Sequence, residues 1–369
     1  MALRQFQTQT GVRVTLSAMK TWPTSAMVIL AFLVHPWPQD SISIRDVLTA
    51  RLRPLVDAGF AGQVIVVKNG QVLLSDAYGS AHHDHTVRIT RETRFDVASA
   101  TKAFAAAAIL SLRDSGRLQL QSTISQWFPE TPPDKRAITI EQLLEHTSGL
   151  RQTYAADGEV DRSTAVRLLL SQPLGSVPGQ EFSYSDDGSV ILAAVIEVAS
   201  GVSYEQYLRA HELTPAGMTH TAFWGEIDFA DSSRTAPFVK PLDTRLLRPQ
   251  RGQRGSGGLL STADDLFHWW TALSAGRVVS RSSVDELTRE RRKLPSGIGV
   301  GYGWFWSTTD TGTRTLWSRG NEDFGPNAIV TVYPQNQMLV AVTSDDFIDG
   351  VPWSRRMSSA MEAVVLTEK

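Results

Sequence analysis

Residues 95–112 read FDVASATKAFAAAAILSL, and the rest of the chain is best read outward from them. From Ala103 to Leu110 no side chain is polar, and a helix apolar all round belongs in an interior. Ser99 stands at the N-terminus of that helix, where free backbone N–H groups and the helix dipole favour developing negative charge. Lys102 follows three residues later on the same face, and helical side chains lean back toward the N-terminus, so its amine reaches the Ser99 hydroxyl. Burial disfavours the ammonium and lowers the lysine pKa, as a proton acceptor near neutral pH requires. Ser-x-x-Lys by itself recurs by chance as an N-cap Ser and a surface Lys. A lysine facing an apolar buried helix is different, because an unpaired buried amine is costly and chemistry is the usual reason to keep one.

Before this stretch, residues 42–59 carry a helical apolar face formed by Ile44, Val47, Leu48, Leu52, Leu55 and Val56. Two strands follow, Val64–Lys68 and Gln71–Ala77, joined by Asn69-Gly70, a strong hairpin signal. From about 99 to 275 the pattern is mostly helical. Strands return at Gly303–Thr308, Thr313–Ser318, Ala328–Tyr333 and Met338–Ser344, and a helix closes the chain at Ser354–Leu366. The economical arrangement is an α+β fold: one antiparallel sheet built from both chain ends, flanked by helices, with a mostly helical subdomain inserted at about 115–255. A site would lie in the groove between the two parts.

A second candidate lies in Pro178–Asp186, PGQEFSYSD, a loop leading into the apolar helix Ser189–Ser200 that ends at Gly201. Tyr184 sits just before that helix, which Ser185, Asp186 or Asp187 can cap. Alone, Tyr184 reads as an aromatic anchoring a loop; it gains meaning beside Ser99 and Lys102.

Composition narrows the classes. A net charge of −2 and a pI near 6.5 argue against a nucleic-acid surface. The absence of cysteine removes disulfides, thiolate metal sites and a thiol nucleophile, and no cofactor is implied. His82-His83-Asp84-His85 lacks a companion cluster and reads as a solvated loop, so no metal site is expected. His146 reads as a helix-ending residue with local hydrogen bonds. At the N-terminus, Arg4, Arg13 and Lys20 precede the apolar run Ala26–Val34, too short to span a bilayer but of signal-peptide length. Residues 1–40 therefore read as an export leader, which places the 41–369 domain in the periplasm or outside the cell; a docked amphipathic helix, with a cytoplasmic protein, is the competing reading. No other stretch suggests a membrane span, and oligomeric state stays open.

The chain resembles the serine β-lactamase and penicillin-binding-protein superfamily, in its branch of class C β-lactamases, D-alanyl-D-alanine carboxypeptidases and esterases. The resemblance rests on Ser99-Ala100-Thr101-Lys102 after FDVA, on ITIEQLLEHTSGL (Ile138–Leu150), and on PGQEFSYSD. PAGMTHT (Pro215–Thr221), GSGGLLSTADDL (Gly255–Leu266) and GYGWFW (Gly301–Trp306) continue it in order from about residue 60 to the C-terminus. It implies a β-lactamase/transpeptidase-like fold and a covalent acyl-enzyme on Ser99. Lys102 and Tyr184 would handle protons, and the Ser99 N–H with one strand N–H would bind the oxyanion.

Two positions depart from the family pattern. Tyr184-Ser185-Asp186 replaces Tyr-x-Asn; an ionised Asp only accepts hydrogen bonds, and it would hold Lys102 as ammonium, leaving Tyr184 as the base. Ser318-Arg319-Gly320, followed by Asn321, stands where Lys-Thr-Gly or His-x-Gly is usual, with Trp317 marking a second possible register. Gly320 still admits substrate backbone, and Arg319 or Arg314 would have to supply charge. Asp186, Ser318, Arg319, Gly320 and Asn321 are thus the expected substrate contacts. The partner is a small ester, amide or peptide. An esterase or D-amino-acid peptidase is the leading expectation. A β-lactamase or D,D-carboxypeptidase is the runner-up, and a binding protein that kept the fold but lost turnover is the alternative of another class.

Overall fold

A computed structural model describes residues 43–80, 87–226, 250–322 and 325–366. The predicted leader and the His82–His85 cluster lie outside the described residues. The main sheet takes its strands from both ends of the chain. β1 (Gly62–Lys68) and β2 (Gln71–Tyr78) form the predicted hairpin, with both turn residues left-handed, Asn69 at φ 52° and Gly70 at φ 75°. Short strands β3 (Phe95–Asp96), β4 (Ala222–Phe223) and β5 (Leu259–Ser261) make a separate three-stranded sheet in the order β3-β5-β4. The C-terminal part supplies β6 (Arg292–Lys293), β7 (Gly299–Val300), β8 (Phe305–Thr308), β9 (Arg314–Asn321), β10 (Asn327–Tyr333) and β11 (Met338–Ser344). These join the hairpin in one eight-stranded sheet ordered β2-β1-β11-β10-β9-β8-β7-β6. Pairing is antiparallel throughout, and β1 meets β11 in the register Val64↔Val342, Val66↔Val340.

Alternation along the central strands builds two cores. Val64, Val66, Val340 and Val342 face α1 (Ile44–Asp57) and α10 (Trp353–Val365), packing on Leu48, Leu52, Trp353, Met357 and Met361. Ile65, Val67, Leu339, Ala341 and Val330 face the other way, into the core shared with α2 (Thr101–Asp114) and α8 (Ala263–Ser274), and α8 packs on β1 and β11. Covering both faces explains why these strands read as continuous apolar runs rather than alternating ones.

Between β3 and β5 the described chain has helices as its regular elements, apart from β4. It holds α2, α3 (Ile140–Leu144), α4 (Arg162–Ser171), α5 (Asp186–Ser200) and α6 (Tyr204–Leu208), which runs through a π-helical turn at Arg209–Leu213 into α7 (Thr214–Ala216). After β5 come α8 (Ala263–Ser274) and α9 (Arg281–Thr288). Every residue from Ala103 to Leu110 is buried, as their apolarity requires. Phe104 stacks on Trp269 at 3.8 Å, and Trp269 on Trp304 at 6.1 Å. Trp304 is therefore core, while Phe305 and Trp306 stay partly exposed. Among the described residues no single helix is long and apolar enough to cross a membrane.

Candidate active site

Ser99 lies in a tight turn, Ala98–Ala100, that opens directly into α2. Beneath it, Lys102 is almost fully buried, and the lysine is not alone. Its Nζ donates to Ser99 Oγ at 2.9 Å and to the Ser256 carbonyl at 2.9 Å, and lies 2.5 Å from Asp186 Oδ1. It also stands 4.9 Å from the centre of the Tyr184 ring. Burial by itself favours the neutral amine, but Tyr184 and Asp186 outweigh it and hold the ammonium above its ordinary 10.5. This overturns the first expectation for Lys102, a pKa lowered toward neutrality, and agrees with the second, a lysine kept charged by Asp186. Since Ser99 Oγ accepts from the ammonium, its own proton points elsewhere.

Asp186 is fixed by the start of α5. Ser185 caps that helix by accepting from the Gly188 N–H at 3.2 Å, which places Asp186 in the first turn. Gln152 then grips it twice: Gln152 Nε2 donates to Asp186 Oδ2 at 2.6 Å, and the Asp186 N–H donates to Gln152 Oε1 at 3.0 Å. Tyr184, two residues earlier, is partly exposed and rests on a buried histidine, with the His146 and Tyr184 rings 4.6 Å apart and 27° from parallel. His146 Nδ1 accepts from the Ser185 N–H at 3.3 Å. Burial, then the Lys102 charge, pushes His146 down to about 3, so the ring stays neutral. His146 follows the end of α3 as expected, but its side chain bonds to Ser185, distant in sequence, rather than locally. That it is a platform for Tyr184, and that Gln152 clamps Asp186, was not legible: both come from loops distant in sequence and carry no spacing signal.

The end of β9 forms the opposite wall. β8 pairs only as far as Trp317, so residues 318–321 face the Ser99 turn on that edge. A Cβ on Gly320 would sit 2.3 Å from the Val97 carbonyl oxygen and 2.4 Å from the Ser99 nitrogen, so only glycine fits. This places the Ser318-Arg319-Gly320 register, not the Trp317 one, beside Ser99. Ser318 is buried and shares the strand face of Leu316 and Gly320. Arg319 is on the other face, its guanidinium 4.6 Å over the Trp317 ring, and Trp317 stacks on Phe305 at 4.8 Å. Burial, then Arg355, lowers its pKa, with Tyr184 opposing. Asn321 alternates onto the Arg319 face and is exposed. Arg314, at the start of β9, covers Trp306 at 4.3 Å and pairs with Glu290, so it brings no charge to Ser99. Among the described residues no cluster of His, Asp and Glu is arranged to hold a metal.

A serine, an ammonium, a tyrosine and an open strand edge around one helix N-terminus recur in a known family, and the comparison decides which. The family profile described as beta-lactamase matches residues 48–356. The chain belongs to the β-lactamase family. Within this family of serine hydrolases it is 28% identical over 255 residues to the putative penicillin-binding protein PbpX of Bacillus subtilis, covering 66% of this chain and 63% of that protein. It is 34% identical over 217 residues to protein flp of Staphylococcus aureus, covering 56% of this chain and 44% of the relative. The chain thus spans less than two thirds of the length of these relatives. The D-amino acid amidase of Ochrobactrum anthropi shares the fold at a TM-score of 0.75 and 19% identity, over 88% of this chain and 99% of that one.

Proposed function

We propose that the chain is an acyl-transfer serine hydrolase of small esters or amides. The observation that carries this is the Lys102 ammonium held simultaneously on Ser99 Oγ and on Asp186. In acylation Tyr184 acts as a phenolate beside the Lys102 ammonium: the Ser99 oxygen attacks the substrate carbonyl carbon as its proton passes to the Tyr184 oxygen, and the leaving group then departs with that proton, returning Tyr184 to the phenolate. Water enters, gives a proton to Tyr184, attacks the acyl carbon and releases the acid, while the proton returns to Ser99. Lys102 keeps its proton throughout and stabilises the tyrosine oxygen when that carries charge. The Ser99 N–H and a β9 N–H beside Gly320 bind the carbonyl oxygen as it becomes negative.

Asp186 in place of Asn, and Ser318 in place of a cation, support substrates whose recognition does not need a free carboxylate, which favours an esterase or D-amino-acid amidase over a β-lactamase. The amidase among the structural neighbours supports including amides. Residues 1–40 as an export leader, 41–369 as the hydrolase domain, and 115–255 as its helical part complete the proposal. The test compares the chain with Ser99→Ala on p-nitrophenyl acetate and butyrate, D-phenylalanine amide, a D-alanyl peptide and nitrocefin. Ester or D-amide turnover that vanishes in the variant supports the proposal, and nitrocefin turnover alone replaces it with the β-lactamase reading. No difference between the two folded proteins on any substrate leaves a binding protein.

A further inference from the structure

Ala98, the residue before Ser99, holds a left-handed backbone at φ 49° without being glycine. An L side chain is strained there, and nothing about alanine favours the conformation. Its N–H is the group that must be engaged, and it donates to Asp96 Oδ1 at 2.7 Å. Asp96 is buried in the short β3–β5 pair, opposite Leu260, with Val97 N–H donating to the Leu259 carbonyl at 2.9 Å. The Trp224 side chain lies beside the same carboxyl and acts to lower its pKa. Above the turn, the Gly320 wall leaves no room: the Val97 oxygen and the Ser99 nitrogen already touch the space a Cβ would take. The twist at Ala98 is thus held from below by a carboxyl and bounded from above by β9.

We propose that Asp96 is a positioning residue for the nucleophile: through the Ala98 N–H it fixes the left-handed turn that sets Ser99 Oγ and the Ser99 N–H at the mouth of α2. The proposal rests on the hydrolase reading above. Burial pushes Asp96 up to about 7, against the lowering effect of the Ala98 N–H bond and of the Trp224 side chain. The charged groups on the surrounding elements are Arg94 before β3, Lys102 on α2, Glu226 after β4, Asp264 and Asp265 after β5, and Glu322 after β9. Burial, the Ala98 N–H and Trp224, rather than any of these charges, set the Asp96 carboxyl. The ionised carboxylate makes the stronger, charge-assisted bond to Ala98. Positioning therefore improves as pH rises through the carboxyl's titration.

The test measures the rate constant for labelling of Ser99 by a fluorophosphonate probe, from pH 5.5 to 8.5, in the full chain and in Asp96→Asn, Asp96→Ala, Ala98→Gly and Asp96→Ala/Ala98→Gly. Asp96→Asn keeps an acceptor but cannot ionise, so the wild-type rise near pH 7 is expected to flatten. Asp96→Ala is expected to slow labelling about tenfold, the rate equivalent of releasing one strained left-handed residue. Glycine adopts that backbone without strain, so in the Ala98→Gly background the same Asp96→Ala change is expected to cost under about threefold. An unchanged pH profile in Asp96→Asn, or an Asp96→Ala cost as large in the Ala98→Gly background as in the wild type, overturns the proposal. Wild-type protein that does not label at all overturns the hydrolase reading and this inference with it, a result distinct from either of those.

Discussion

Replacing Asp186 by Asn restores the family's usual Tyr-x-Asn and removes the charge that faces Lys102. In the wild type the lysine side chain is 6% exposed and Asp186 19% exposed, so solvent screens the pair little. The ammonium keeps the Ser99 Oγ and Ser256 carbonyl bonds in the variant but exchanges a charged acceptor for a neutral one. A charged hydrogen bond contributes about 1.5–3 kcal/mol against about 0.5–1.5 for a neutral one, and a buried pair broken on one side costs about 3–5. With the amide still able to accept, the expected loss at pH 7 is about 2 kcal/mol of unfolding free energy by urea titration.

The pH dependence of that loss is the sharper test. In the wild type the folded Lys102 pKa lies above 10.5, so its contribution is fully present below 10.5 and is lost as pH rises through the folded value. Without Asp186, burial, the largest single influence, is opposed by Tyr184 alone, and the folded pKa is expected to fall below 10.5. The unfolded chain then binds more protons than the folded one, and stability rises with pH, by up to ~1.4 kcal/mol per unit, until the unfolded lysine titrates. Plotted from about pH 7 to 10, the difference between variant and wild type should shrink. A difference that stays level across this range, or a loss below ~0.5 kcal/mol at pH 7, would mean that Asp186 does not hold Lys102 charged, and Tyr184 would lose its claim as the base.

Gly320→Ala puts a Cβ against two main-chain atoms, so fluorophosphonate labelling should fall by at least ~100-fold with about 1–3 kcal/mol of destabilisation; labelling within ~threefold of wild type refutes the close approach of β9 to Ser99. His146 is held neutral down to about 3 by burial and Lys102, so its folded pKa is depressed and its contribution to stability falls as pH drops from 6.5 toward that value. In urea unfolding at about pH 4.5 and 7, His146→Gln should therefore be relatively more stable at the lower pH; a variant-to-wild-type difference that does not change with pH counts against a buried neutral ring.

Much of the architecture was readable because its signals are local or periodic. Asn69-Gly70 specifies a tight turn, and the runs at Ala328–Tyr333 and Met338–Ser344 announce strands buried on both faces. The helix from Thr101 is marked by its lack of polar residues. What stayed hidden is short or non-local. β3, β4 and β6 are two residues each, below any periodicity, and they form only because partners such as Leu260 are brought alongside. Ser99, Lys102 and Tyr184 could be nominated from motif order, and the structure brings them together. The state of Lys102 could be approached only through the chemistry of Asp186, because intrinsic burial points the opposite way. Gln152, Ser256 and His146 reach the site through loops whose sequence says nothing of their destination. Arg319 was nominated by proximity along the strand, but β-pleating turns its neighbour Gly320, not Arg319, toward the nucleophile.

The two departures from the family pattern act on one quantity, the fixed charge around Ser99. Lys102 is balanced by Asp186, His146 is neutral, and Ser318 contributes no cation where Lys or His is usual. Arg319 lies over Trp317 on the other face of β9, where Tyr184 still acts on its charge, and Arg314 is paired with Glu290 further along the strand. Lys102 and Asp186 therefore cancel beside Ser99 and leave Arg319 as a cation felt at Tyr184 from the other strand face, so a substrate carboxylate gains less attraction to offset its desolvation than a Lys or His in place of Ser318 would give it. An uncharged ester or amide meets no such penalty, and the negative charges to be stabilised in the proposed reaction are the Tyr184 phenolate and the one that develops on the carbonyl oxygen. The ammonium of Lys102 and the N–H groups at the start of α2 are already placed for both. The same substitution that weakens recognition of acidic ligands thus keeps the lysine charged for catalysis, which is why Asp186, more than any other residue, separates the proposed hydrolase from the family's usual Tyr-x-Asn pattern.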